Sequence, residues 1–201
     1  MGVQVTSHVG ELAKRLKNGN LLEPAMRKVS KYLVSSALSK INRGIQPGNS
    51  PLTQEVKQGN GTLRDNGQLM ASISPHNGKN WASASTNLKY AKINQTGGMI
   101  ATKGKGLWLP ASKQTRTLMR RYNAQKPGEL ISAMKGDGYS FYRTGKVFCA
   151  KKKKGKPFAL FIIKQSVKIP ARPFLYINEA NEKFINKEIQ KAVHDALQRR
   201  K

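Results

Sequence analysis

Three histidines, one cysteine and a few scattered carboxylates are the first side chains to weigh for bond-making chemistry. His8, His76 and His194 are far apart and fall on different expected elements, and Cys149 is the single cysteine. A structural zinc site needs thiolates or imidazoles at short, repeated spacing, and neither CxxC nor HExxH occurs. No GxxxxGKS or GxxxxGKT stretch is present to cradle a phosphate. The glycines of GKGLW after Lys103 lack the third glycine and the preceding strand of a dinucleotide fingerprint, and suit a flexible turn. Glu55, Asp65, Glu129 and Asp137 lie in expected loops. A nuclease or glycosidase needs two carboxylates held together, and their spacing gives no such pair. Cys149 and His76 could form a thiol–imidazole dyad. Cys149, however, sits in an apolar strand pattern, which favours a buried, inert thiol. The sequence therefore predicts no enzyme, no cofactor and no metal.

Charge is the stronger signal. The 201 residues hold 37 Lys and Arg against 10 Asp and Glu, a formal +27. Self-repulsion at that level opposes compaction. A solvated basic surface accounts for part of the excess, and an acidic partner, above all nucleic acid, for the rest. Residues 101–172 alone carry 18 Lys and Arg and 2 acids. The clusters are Lys103 with Lys105, Arg120 with Arg121, and Lys151, Lys152, Lys153 and Lys154 with Lys156. They predict a salt-sensitive grip on phosphates without sequence readout. Tyr122, Tyr139, Phe141 and Tyr142 lie nearby and could stack on bases. Their alternation within a strand makes Phe141 a core residue instead.

The compartment follows from what is missing. One cysteine forms no intrachain disulfide, so no oxidising compartment is needed. The opening MGVQVTSHVGELAKRL has no apolar core of a signal peptide, and FALFII at 158–163 is too short to span a bilayer. No basic amphipathic helix carries a bulky aromatic face, so no membrane partner is expected. A cytoplasm, or a particle assembled there, is the expected setting.

These clusters must be positioned by recognisable elements. Residues 21–42 place Leu22, Met26, Val29, Leu33, Ala37 and Ile41 on one helical face, with Pro24 in the first turn. A short helix over Glu11–Lys17 precedes it. Residues 45–68 are rich in Gly, Pro and Asn and read as loop. Leu69–Pro75 alternates and enters a strand, WASAST at 81–86 is a strand, and LKYAKINQTGG is one or two helical turns. SKQTRTLMRRYNAQ reads as a basic helix. YSFYRTGKVFCA and PFALFIIKQSVKI read as two strands joined by KKKKGK, whose mutually repelling lysines suit a hairpin tip. Residues 174–199 are amphipathic, with Ile177, Ala180, Phe184, Ile185, Ile189, Val193 and Leu197 on one face. Arg199, Arg200 and Lys201 suit the C-terminal end of the helix dipole.

Between the last strand and that helix stands SVKIPARPFLYI, Ser166 to Ile177. Ile169 must be extended, because it precedes proline. Pro170 ends the ladder, since it donates no hydrogen bond. Pro173 is pre-set for a first helical turn. The pair predicts a rigid corner that sets the angle of the C-terminal helix. The expected fold is thus α+β: a small, mainly antiparallel sheet packed by N- and C-terminal amphipathic helices, with a basic, β-rich inserted arm. Residues 1–201 would form a single domain, its core at about 21–100 and 158–199 and the arm at about 101–157.

Three segments carry a resemblance. Leu63, Arg64, Asp65, Gly67, Leu69, Ser72 and Ile73 are the first, and Tyr90, Ala91, Gln95, Gly97 and Gly98 the second. Ile169, Pro170, Ala171, Arg172, Pro173, Phe174 and Leu175 are the third. In this order, before a closing helix, they resemble the virion morphogenesis, or tail-completion, proteins of tailed bacteriophages, Mu-like phages included. Two positions depart from that pattern: Asn66 replaces a threonine and Asn94 a histidine. Asn94 still donates and accepts hydrogen bonds, so a structural role at that position survives the change. The resemblance implies a structural protein of the neck or tail end, a tail-completion or tail-terminator subunit. Its copies would form a ring, commonly six-fold, that meets neck, connector and tail-tube proteins and joins the tail to a DNA-filled head. Duplex DNA would pass through the ring. A non-enzymatic cytoplasmic nucleic-acid-binding protein is the alternative that the charge alone suggests.

Overall fold

The computed structural model describes residues 21–198. The expected helix at Glu11–Lys17, His8 and the terminal Arg199–Lys201 lie outside them. The architecture is α+β, with every paired strand antiparallel. Contacts divide it into two compact units, each discontinuous in sequence.

The first unit takes its described residues from 21–45, 67–91 and 173–198. Its central element is helix α1, Glu23–Arg43, opened by a proline in its first turn. Met26, Val29, Ala37 and Ile41 are buried, as their spacing requires. Two further elements pack on α1: the C-terminal helix (Glu179–Gln198), and a hairpin of β1 (Ser74–Asn77) and β2 (Ala82–Ser85). Ala82 joins Ala25, Met26 and Val29, while Phe184, Ile185 and Ile189 close on the same cluster from the C-terminal helix. Tyr32 stacks on Phe184 with ring centroids 3.8 Å apart. Asn181, 1 % exposed, donates to the Ser36 hydroxyl at 2.9 Å.

The C-terminal helix starts later than the prolines predict. It begins at Glu179, not in the turn after Pro173, and Ile177 lies outside it, exposed. Asn178 and Asn181 set this start. The Asn181 backbone N–H donates to the Asn178 side chain and the Asn178 N–H to the Asn181 side chain, at 3.0 and 3.1 Å. Such reciprocal bonds satisfy donors that a helix start leaves open. Leu197, expected on the apolar face, is also exposed.

The second unit comprises Gln46–Asn66 and Lys92–Arg172. Short helix α2 (Pro51–Val56) interrupts the stretch read as loop, capped by Ser50 and opened by Pro51. In the first unit, α3 (Gln68–Ser72) stands where alternation suggested an extended piece, since Gly67 at φ +81° precedes a full helical turn. Helix α4, Lys89–Thr96, begins in the first unit and ends in the second. The sheet of the second unit contains β4 (Leu107–Pro110), β5 (Tyr139–Thr144), β6 (Val147–Lys152) and β7 (Phe158–Lys164), in the order β4-β7-β6-β5. YSFYRTGKVFCA is therefore a hairpin, not one strand: Thr144 pairs with Val147 and Gly145 turns at φ +57°. PFALFIIKQSVKI likewise divides at Gln165. Its second half, β8 (Ser166–Ile169), pairs with β3 (Gly98–Ala101) in a separate ladder.

Helix α5 (Lys113–Arg121) is the basic helix expected from sequence, and α6 (Pro127–Gly136) follows it where the sequence pattern predicts none. Both close one face of the sheet. Leu118, Leu130 and Met134 meet Ala150, Leu160 and Phe161, with Trp108, Phe141 and Phe148 packed at the margin. The Trp108 ring stands edge-on to Phe148 at 4.9 Å and to Phe161 at 5.7 Å. In this chain α7 denotes the C-terminal helix Glu179–Gln198. Phe161 is fully buried, whereas Met99 on β3 is 67 % exposed. Phe161→Ala is expected to lower unfolding free energy by about 3–5 kcal/mol, and Met99→Ala by no more than about 0.5 kcal/mol. Urea denaturation of both variants checks this; equal losses would contradict the core as described.

Candidate functional site

The segments behind the resemblance are built around backbone contacts. Gly97 ends α4, its N–H donating to the Ile93 carbonyl at 2.8 Å with φ +71°. A Cβ there would lie 2.7 Å from the Ala171 nitrogen, so only glycine lets the two chains approach. The next residue, Gly98, pairs with Ile169, which leads into Pro170. The Arg172 N–H donates to the Asn94 carbonyl at 2.7 Å. The second and third motif segments are thus partners in one junction. At Asn94, one of the two positions that depart from the resembled pattern, the backbone oxygen takes part in this junction.

Arg172 extends the junction further. Its guanidinium donates through Nε to the Pro47 carbonyl and through Nη2 to the Gly48 carbonyl, both at 2.7 Å. It is 9 % exposed, and burial lowers its pKa. The first motif segment fastens the other end of the same loop. The Asp65 carboxylate accepts from the Gln58 N–H at 2.8 Å and pairs with Arg116 of α5 at 2.8 Å. Burial alone would raise the Asp65 pKa, but the Arg116 and backbone hydrogen bonds outweigh it and hold the carboxyl below its usual range. Lys57, also buried, donates to the Gly61 carbonyl, and its pKa falls through burial. Leu63, between Gly61 and Asp65, takes φ +60°, a left-handed conformation costly for a side chain. Arg64 and Gln95 also belong to the second unit, and the remaining motif residues lie in the first: Gly67 precedes α3, Tyr90 is exposed, and Ala91 and Phe174 are buried. Pro173 is the first residue of that unit's last segment.

Glu129 and Asp137, also of the second unit, serve local donors. Glu129 accepts the backbone N–H groups of Gln125 and Lys126 before α6, which keeps its pKa low. Asp137 accepts from the Tyr122 hydroxyl, which raises the tyrosine pKa. Among the described residues there is no group of three or more His, Cys, Asp or Glu able to hold a metal ion. His76 is exposed on β1 in the first unit, while Cys149 is half-buried on β6 in the second.

The nine cations singled out from sequence do not form one cluster. Strand register separates them. Lys151 and Lys152 end β6, and Lys153, Lys154 and Lys156 form the tip before Phe158 of β7, all exposed. Lys152 lies 5.4 Å from the Tyr139 ring. Lys103 and Lys105 lie at the other end of the sheet, because Leu107 pairs with Lys164 and Thr102 donates to the Gln165 carbonyl. From Phe158 to Lys164 the two ends are about 20 Å apart at strand rise. Arg120 reaches the Gln58 side-chain oxygen at 2.9 Å once that amide is oriented to satisfy both groups, which adds to the Arg116–Asp65 clasp. Arg121 lies 6.0 Å from the Tyr122 ring. Three cations not singled out, Arg143, Lys146 and Lys164, are exposed beside Lys103 and Lys105. Only the register reveals them, since they are isolated in sequence.

A family model described as the phage virion morphogenesis family matches residues 3–126. The chain belongs to that family of bacteriophage structural proteins. The match takes in the first two motif segments, while the stretch 169–175 lies beyond it. No curated protein and no solved structure matches the chain. Among the described residues no helix is long and apolar enough to cross a membrane.

Two outcomes follow from the loop anchors. Arg172→Lys keeps the charge but loses the planar fork that serves two carbonyls, so stability should fall by about 1–3 kcal/mol. An unchanged urea midpoint would show that the fork is dispensable. Asp65 has a folded pKa below its unfolded value of about 3.9. Its contribution is full above that value and is lost as pH falls through the folded pKa. Thermal melts should therefore drop below about pH 4 in the parent protein. Asp65→Asn should be less stable at neutral pH and should lose that part of the slope.

Proposed function

We propose that this chain is a non-catalytic subunit of the neck or tail end of a tailed phage, where it completes or terminates the tail. Its copies form a ring, commonly six-fold as in the proteins it resembles, and help join the tail to the DNA-filled head. Neck, connector and tail-tube proteins are its neighbours, and duplex DNA passes through the channel. Its place is the virion, with assembly in the host cytoplasm.

The observation that carries this reading is uncompensated charge in a chain of this family. The second unit holds 21 Lys and Arg and only 4 acids. Three of those acids are already engaged: Asp65 by Arg116, Glu129 at a helix start and Asp137 by Tyr122. Phosphate supplies the missing counter-charge, and sugar–phosphate contact positions a protein without reading bases. The Lys151–Lys156 tip, Lys103, Lys105, Arg120 and Arg121 are the phosphate-facing residues of this reading.

The same charge favours a second reading, a nucleic-acid-binding protein free in the cytoplasm. A phage lacking the chain separates the two. Loss should leave filled heads and free tails that fail to join, and negative-stain images of the purified protein should show rings or density capping one tail end. Normal, joined, infectious particles from the null phage overturn the neck reading, and dispersed single subunits that bind DNA favour the alternative.

A further inference from the structure

We propose that the end of the four-stranded sheet opposite the lysine tip is a second phosphate-binding site, made by Lys103, Lys105, Arg143, Lys146 and Lys164 and suited to duplex DNA. The inference rests on the reading of this chain as a DNA-contacting subunit.

The site is a product of register. In the order β4-β7-β6-β5, each strand brings one cation to this end: Lys105 ahead of β4, Lys164 closing β7, Lys146 in the turn before β6 and Arg143 on β5. Leu107 pairs with Lys164, the Lys146 carbonyl accepts from the Ile163 N–H at 2.7 Å, and Thr144 pairs with Val147. These pairings bring the four strand ends to one side of the sheet in a staggered row, Lys146 opposite Ile163 and Arg143 level with Phe161, three residues short of Lys164. Lys103 stands next to Thr102, whose N–H donates to Gln165 just beyond β7. Neighbouring strands are about 4.8 Å apart, so the row runs about 14 Å across the sheet end. That length matches about four phosphate steps of one DNA strand at about 3.4 Å of axial rise.

The site is also free of internal neutralisation. All five side chains are exposed, and among the described residues no carboxylate lies within 4.0 Å of any of them. The tip end differs, because Asp137 stands just before Tyr139, the β5 residue that pairs with Lys152. Arg143 is held in place by its own bond from Nε to the Gly145 carbonyl at 2.7 Å. Five like charges on ordered strand ends repel one another, and a polyanion relieves that repulsion with little rearrangement. The lysine tip and this row, about 20 Å apart, touch one duplex at points about six base pairs apart along its axis.

The test is the salt dependence of binding, measured by anisotropy with the full chain and a labelled mixed-sequence duplex. One variant carries Lys103→Gln, Lys105→Gln, Lys146→Gln and Lys164→Gln, and another carries Lys151→Gln, Lys152→Gln, Lys153→Gln and Lys154→Gln. Arg143 is retained because it braces its turn. Each variant should weaken binding alike for all sequences and lower the log–log salt slope by about 2–3 units, at about 0.9 for each phosphate no longer neutralised. The combined variant should show the sum of both decreases, and the corresponding Lys→Arg variants should keep the parent slope. An unchanged slope in the first variant, with a reduced slope in the tip variant, overturns the second site and leaves DNA contact standing. Unchanged slopes in both overturn DNA contact itself. If the first variant loses affinity for poly-glutamate but not for DNA, the row docks an acidic protein and the inference fails.

Discussion

A single guanidinium, that of Arg172, holds together the junction on which the second unit depends. It is nearly buried, and among the described residues no carboxylate lies within 4.0 Å of it. Two backbone carbonyls, of Pro47 and Gly48, solvate the charge instead. An isolated cation removed from water is strongly destabilising unless its donors are satisfied, so the arrangement tolerates little slack. The carbonyls must stay where they are, which pins the start of the 46–66 segment to the proline stretch. Asp65 and Arg116 pin its far end to α5. A stretch rich in Gly, Asn and Pro is thereby given a fixed course by two arginines placed in sequence far from its ends.

This explains which parts of the molecule could be read from sequence. Helix α1 was legible because its apolar spacing and early proline agree with what it buries. The α+β class and the basic helix α5 were legible for the same reason. The motif segments were also legible, but their mutual contact was not. Nothing in Gly97 or Ala171 taken singly shows that one must accommodate the other at 2.7 Å. Pro173 misled because a proline favours a helical first turn only where no better start competes, and Asn178 with Asn181 provides one five residues later. Arg120 stood out in sequence by clustering alone, and its contact with Gln58 was not legible because Gln58 lies 62 positions earlier in the chain.

The charge tells a similar story at a larger scale. By composition, residues 101–172 are a single basic stretch. Antiparallel pairing divides it instead, sending alternate strand ends to opposite sides of the sheet. Lysines adjacent in sequence at 151–154 stay together, while Lys105, Lys146 and Lys164, far apart in sequence, become neighbours. Like charges are kept at the margins, and the covered face is left to Phe161, Leu160 and Ala150. A moderate apolar content of 38 % suffices for such a core because the charge never has to cross it.

The interleaving of the two units bears on synthesis. The second unit has all of its residues once Arg172 has been made. The first still lacks α7 at that moment, so the α1 face around Met26 and Val29 waits for Phe184, Ile185 and Ile189. During synthesis, therefore, this face of α1 stays sticky until α7 has left the ribosome. Through that interval the apolar face is open to chaperones or to a neighbouring nascent chain.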